Sequence, residues 1–185
     1  MEEKKSRNTI ASGKEEPINR YTVSVLVQNQ PGVLSRVSGL FSRRGFNIDS
    51  LAVGPTQDED ISRITLTVQG DAAHIDQLVQ QLYKLISVQK VLVLDPRRSV
   101  ERQLVLVKVK AGVQERDAVM RVVDIFRARV VDVTRTTMTV ESTGEDDKIQ
   151  ALLGLLSDYG ILEIVRTGTV ALQRGEEIIS ASIFD

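Results

Sequence analysis

The feature that most constrains this chain is a switch of hydrophobic period that occurs twice in the same order. Tyr21 to Val27 alternates, with Val23, Val25 and Val27 on one side and Thr22, Ser24 and Leu26 on the other, which is a strand with one well-buried face. Gln28-Asn29-Gln30-Pro31-Gly32 breaks it. Val33, Leu34, Val37, Leu40 and Phe41 then recur at helical spacing, with Arg43 and Arg44 in the last turn and Gly45 in position to terminate it. A strand from Asn47 to Val53, an acidic turn, a strand from Arg63 to Gln69, a helix capped by Asp71 and a strand from Val88 to Leu94 follow. The order is β-α-β-β-α-β. Asp95-Pro96-Arg97-Arg98-Ser99 reads as a linker, after which strands at 103–110, 130–134, 137–142 and 161–165 and helices at 113–126 and around Ile149 to Leu156 repeat that order.

Such an order predicts an α+β chain of two ferredoxin-like βαββαβ sandwiches in tandem. The expected organisation is a disordered tail at 1–20, a first domain at 21–95, a linker at 96–102, a second domain at 103–174 and a loose tail at 175–185. In this sandwich both helices cover one face of the sheet. Leu26, Leu51 and Leu66 suggest that the second face or an edge is covered too, and dimerisation is the common way to bury an open apolar sheet.

Composition removes several functions. The 24 basic and 25 acidic residues nearly cancel to −1, which is not the electrostatic footprint of a nucleic-acid or membrane-surface binder. With no cysteine there is no thiolate metal site or thiol nucleophile, and with His74 alone there is no multi-histidine centre. Aromatic residues make up 4%, and the strands carry valine, leucine and threonine where an RNA-binding sheet needs stacking rings. An acylphosphatase on the same sandwich needs an arginine in the loop after the first strand, and this loop has none. No paired carboxylates against an apolar wall are visible, so no catalytic or metal-binding residue is expected. His74 and Asp58-Glu59-Asp60 read as solvated surface. No apolar stretch is long enough to span a bilayer, and Met1 to Arg20 lacks the apolar core of a signal peptide, so a cytoplasmic protein is expected.

One turn offers chemistry. Asn29-Gln30-Pro31-Gly32-Val33-Leu34 lies between the first strand and the first helix. Amides at a helix start point outward and favour an anion. Gly32 has no Cβ to block close approach, and Asn29 carries a donor and an acceptor for the carboxylate or ammonium of an amino acid. The same spacing also fits a plain turn in which Asn29 only caps the helix. Asn47, in Gly45-Phe46-Asn47-Ile48, either holds the start of the second strand or faces a neighbouring subunit.

Asn29 to Val37 and Gly39 to Leu51 resemble the N-terminal ACT domain of acetolactate synthase small subunits. Glu101 to Val109, Phe126 to Val133 and Ile164 to Gly168 resemble the C-terminal domain of that family, and the likeness runs from Tyr21 to Gly175. The resemblance implies a regulatory subunit without chemistry of its own. It implies a homodimer through the ACT domains that binds and activates a large catalytic subunit using thiamine diphosphate, magnesium and FAD. It also implies feedback inhibition by valine, or another branched-chain amino acid, at the ACT dimer interface. By position, Asn29, Gly32, Val33 and Leu34 would form one side of the valine site, and Asn47 and Ile48 would come from the other protomer. Pro31 departs from the small polar residue common there. The chain has no Gly-Asp-Gly…Asn-Asn pattern of thiamine-diphosphate enzymes. The alternative is a free-standing amino-acid sensor acting on another enzyme.

Overall fold

The computed structural model describes residues 19–180. The first unit runs β1 (Asn19–Gln28), α1 (Val33–Arg44), β2 (Ile48–Pro55), β3 (Ile61–Gly70), α2 (Ala72–Tyr83) and β4 (Val88–Leu94). Its sheet has the order β2-β3-β1-β4, with every neighbouring pair antiparallel. A short 3-10 turn, Pro96–Arg98, leads to β5 (Ser99–Lys110), α3 (Arg116–Ile125), β6 (Arg129–Val133), β7 (Thr137–Gly144), α4 (Asp146–Ser157), β8 (Ile161–Arg166) and β9 (Val170–Gln173). The second sheet has the order β6-β7-β5-β8, and β9 pairs with the first residues of β5. Two βαββαβ sandwiches in tandem are therefore present.

Period-2 burial on the strands and period-3.6 burial on the helices meet in two separate cores. Val23, Val25 and Val27 of β1 and Ile64, Leu66 and Val68 of β3 pack under Val37, Phe41, Leu78 and Leu82 of α1 and α2. Val105, Val107 and Val109 of β5 do the same under Val119, Val123, Ile149, Leu152 and Leu156. The ends follow ordinary capping chemistry. Asp71 accepts the His74 amide at 2.8 Å, and Gly45 closes α1 in the left-handed region at φ 72°.

The two edges of the first sheet differ. On β4, the Tyr83 hydroxyl donates to the Val91 carbonyl (3.2 Å) and accepts from the Val91 amide (3.1 Å). A side chain thus occupies the backbone groups an incoming strand would need. On β2, the other edge, no side chain among the described residues bonds the outward backbone groups, and Val53 stands about half exposed (47%).

Several sequence boundaries move. Asn19 and Arg20, assigned to the tail, extend β1 and pair with Gly70 and Gln69 of β3; residues 1–18 of that tail lie outside the described residues. Ser99 to Arg102, assigned to the linker, belong to β5 because β9 supplies their hydrogen-bond partners. The tail at 175–185 is not loose over its described part. The Arg174 amide donates to the Arg98 carbonyl at 2.7 Å, and Glu177 pairs with Arg98. Residues 181–185 lie outside the described residues.

The open sheet face expected from the sequence is also partly covered by the chain itself. Leu66 belongs to the helix-side core, and Leu51 packs against it. Of the three leucines, Leu26 alone faces the other way, and it is buried together with Ser24, Thr65, Thr67 and Leu94. β9 and residues 175–180 lie over part of that face.

Candidate functional site

The loop after β1 is pinned to the turn between β2 and β3. The Asn29 amide donates to the Asp60 carbonyl at 2.7 Å, and Asn29 Nδ2 donates to the Glu59 carbonyl at 2.8 Å. Asn29 therefore does not cap α1. Its Oδ1 is left as an acceptor, and the acidic turn Asp58-Glu59-Asp60 is held beside the loop. The sequence alone reads that turn as plain surface, because nothing local reports a contact across thirty positions.

Gly32 is the N-cap of α1, at φ 82° and ψ −5°, with no side chain capping the helix. Space for a Cβ at Gly32 is open, but the left-handed backbone there favours glycine. Pro31 precedes the cap rather than sitting in the first helical turn. The Val33 amide donates to the Gln30 carbonyl (3.3 Å) and the Arg36 amide to the Gly32 carbonyl (3.1 Å). The amides of Gly32, Leu34 and Ser35 have no partner among the described residues. They form a cluster of outward donors at the positive end of a helix dipole. The Val33 side chain is buried in the core, whereas Leu34 is 42% exposed beside the free amides.

Asn47 and Ile48 lie elsewhere. They follow α1, whose twelve residues span about 18 Å. Asn47 is exposed and its Nδ2 donates to Asp49 Oδ1 at 3.0 Å; Ile48 is half-buried against the first core. One copy of the chain brings together Asn29, Gly32, Val33 and Leu34, and separates them from Asn47 and Ile48 by the length of a helix. His74 is exposed, and its Nδ1 lies 2.7 Å from Asp71 Oδ2. Among the described residues, no group of three or more His, Asp or Glu side chains is placed to hold a metal ion, and no helix is long and apolar enough to cross a membrane.

A polar seam, unsuspected from the sequence, joins the two units. Arg20 of β1 lies 3.0 Å from Asp146 at the start of α4, and Arg166 of β8 lies 3.7 Å from the same carboxylate. Gln103 Nε2 donates to Asp146 at 2.7 Å. Burial raises the Asp146 pKa, but the Gln103 hydrogen bond and the charges of Arg20 and Arg166 outweigh it, and the net shift is downward. Beside this cluster, the Thr169 amide donates to Ser50 Oγ of β2, and Ser50 Oγ also accepts from Thr67 at 2.9 Å. The seam lines a cleft of about 450 Å³.

Comparison with known proteins agrees with this architecture. Residues 23–90 match the family model described as the AHAS small subunit-like ACT domain, and residues 102–175 match that of the small subunit of acetolactate synthase. The probable acetolactate synthase small subunit of Archaeoglobus fulgidus is 48% identical over 158 residues, covering 85% of this chain and 99% of that protein. The acetolactate synthase small subunit of Mycolicibacterium smegmatis is 48% identical over 162 residues, covering 88% and 95%. The crystal structure of the acetolactate synthase small subunit from Thermotoga maritima superposes with a TM-score of 0.81 at 40% identity, covering 86% of this chain and all of that one. Both halves match in the right order and nearly the full length of each relative is covered, so the chain belongs to the family of acetolactate synthase small subunits.

Proposed function

We propose that this chain is the regulatory subunit of an acetolactate synthase in branched-chain amino-acid biosynthesis. It activates a large catalytic subunit and carries the valine feedback site. The observation that carries the reading is the trio of unpaired amides at Gly32, Leu34 and Ser35, beside an acceptor at Asn29 Oδ1 and an acidic turn. A zwitterion needs such a pair of environments: donors for the carboxylate, acceptors and negative charge for the ammonium. Charge-assisted bonds of this kind contribute about 1.5–3 kcal/mol each. The exposed Leu34 supplies apolar surface for an aliphatic side chain.

Strand direction accounts for the second half of the site. β2 is the uncovered edge, and its last residues sit at the end of the sheet where the Asn29 loop lies, since Pro55 pairs with Ser62 and Gln28 with Ile61. When two β2 edges pair antiparallel about a two-fold axis, the start of one meets the end of the other. The partner's Asn47 and the partner's Ile48 then come to the Asn29–Leu34 loop. Two equivalent sites form, each complete only in the dimer. Valine shifts the enzyme by binding one arrangement of subunits better than the other, and a coupling of about 1–3 kcal/mol suffices.

The test is reconstitution with the large subunit supplied with thiamine diphosphate, magnesium and FAD. Acetolactate formation is followed with and without valine, leucine and isoleucine, alongside calorimetry of the small subunit with each. Activation together with inhibition by a branched-chain amino acid is the expected result. No activation, or no heat with any of the three, overturns the reading.

A further inference from the structure

A cavity of about 470 Å³ lies on the face of the first sheet away from its helices, between β1, β3 and β4 and the segment formed by β9 and residues 175–180. Its wall does not include the loop at Gly32, although it shares Asp58 of the acidic turn, and the inference does not depend on the reading given above. Two polar groups in its wall lack partners among the described residues. Ser24 is 2% exposed, and its Oγ makes no hydrogen bond. Arg63 Nε is buried without an acceptor, and its guanidinium has no ion pair among the described residues.

The two belong together. Ser24 pairs with Thr65 and Leu26 with Arg63 across β1 and β3, so Ser24 and Arg63 are diagonal neighbours on one face, about 7–8 Å apart at Cα. An unsatisfied hydroxyl next to a partly buried, unpaired cation is costly to leave empty. Burial lowers the Arg63 pKa from its ordinary value.

Neither acid in the wall forms an ion pair with Arg63 among the described residues. Glu177 is taken by Arg98 and by Gln173 Nε2 at 3.0 Å, and Asp58 Oδ1 accepts the Asp60 amide. Leu26, Leu92 and Leu94 on the sheet and Ile179 opposite form an apolar part of the wall, and Thr56, Gln57 and Gln173 form a polar part. A cation and a hydroxyl beside the aliphatic patch of Leu26, Leu92 and Leu94 match a small molecule with one negative end and a hydrocarbon body.

We propose that this cavity is a second effector site, which binds a small aliphatic monocarboxylate with the carboxylate on Arg63 and Ser24 and the chain among Leu26, Leu92 and Leu94. The ligand bridges the sheet of the first unit and the C-terminal segment that follows β9. Its binding therefore tightens that segment on the sheet.

The experiment is a methyl NMR titration of the full-length chain, labelled at Leu and Ile methyls, with 3-methylbutanoate. Inorganic phosphate and 3-methylbutan-1-ol serve as head-only and chain-only probes. Saturable shifts at Leu26 and Leu94 are expected with 3-methylbutanoate. Arg63→Gln should weaken the affinity at least tenfold and Ser24→Ala about threefold, with Arg63→Lys recovering part of the loss. Gly32→Asp should leave the affinity unchanged. Absence of saturable shifts overturns the proposal, as does equal affinity for the alcohol or for phosphate. Affinity that survives both Arg63→Gln and Ser24→Ala overturns it as well.

Discussion

The Thr169 amide, in the loop between β8 and β9, donates to the hydroxyl of Ser50 on β2 at 3.1 Å, across 119 positions of sequence. One residue away, Gly168 at φ 81° lies so near Leu51 that a Cβ would stand 2.9 Å from the Leu51 carbonyl oxygen. The second unit thus grips the strand that forms the free edge of the first. The edge strand and the second unit are in direct contact, through the Ser50 hydroxyl and the Leu51 backbone.

Gly168→Ala is therefore expected to be damaging. The methyl meets backbone that cannot swing aside, and the left-handed conformation adds strain. A loss of about 2–3 kcal/mol in chemical denaturation is expected. Gly54→Ala, also on β2 but with open space around its Cβ position and no left-handed backbone, should cost about 1 kcal/mol or less. Equal losses would show that the contact with Leu51 does not matter.

Gly32→Asp tests the amino-acid site. No heavy atom lies near the Cβ position, so the cost to the fold is limited to a left-handed residue, about 1 kcal/mol. The new carboxylate sits where the ligand's carboxylate is proposed to bind. Valine affinity by calorimetry should fall at least tenfold, which is about 1.4 kcal/mol, while activation of the large subunit persists. Retained feedback inhibition would place the effector elsewhere.

Tyr83→Phe removes the hydroxyl that satisfies both backbone groups of Val91. With Val91 only 7% exposed, a loss of about 1–2 kcal/mol is expected in urea titration. The newly open β4 edge should also raise the chain's tendency to self-associate, read by light scattering. An unchanged midpoint and an unchanged mass would show that the Tyr83 hydroxyl does not guard the β4 edge.

Asp146 sets an acid limit. Its pKa is lowered in the folded chain, so its contribution is complete above the unfolded carboxylate value of about 3.9 and fades as pH falls through the lower folded value. The two arginines near it are partly solvated, so Asp146→Asn should cost only about 0.5–1 kcal/mol at neutral pH. The variant's difference from the parent should shrink below about pH 4. A difference constant from pH 7 to pH 3 would mean the carboxylate is not ionically engaged.

What could be read from the sequence was local. The turn at Asn29 to Gly32 was legible because only certain residues make a strand-to-helix turn with a left-handed glycine. The helices were legible because Val37, Leu40 and Phe41, or Leu152, Leu153 and Leu156, repeat at helical spacing. The rest depends on distant partners. Arg20 looks like tail until Asp146 is placed beside it. Ser99 to Arg102 look like linker until β9 returns to pair with them. Leu26 looks like a docking surface until residues 171–180 are laid across it. Neither the cavity at Arg63 nor the seam at Asp146 has a signature within any short window.

β5 has its first four residues paired with β9 and its last eight in the sheet of the second unit, as one unbroken strand of twelve residues, about 40 Å long. Pairing with β9 takes Ser99–Arg102 out of the connection, so the chain between the two units is only Asp95 and the turn Pro96–Arg98. A tether that short limits how far one unit can swing from the other. A signal crossing the molecule should therefore arrive as a displacement of small amplitude.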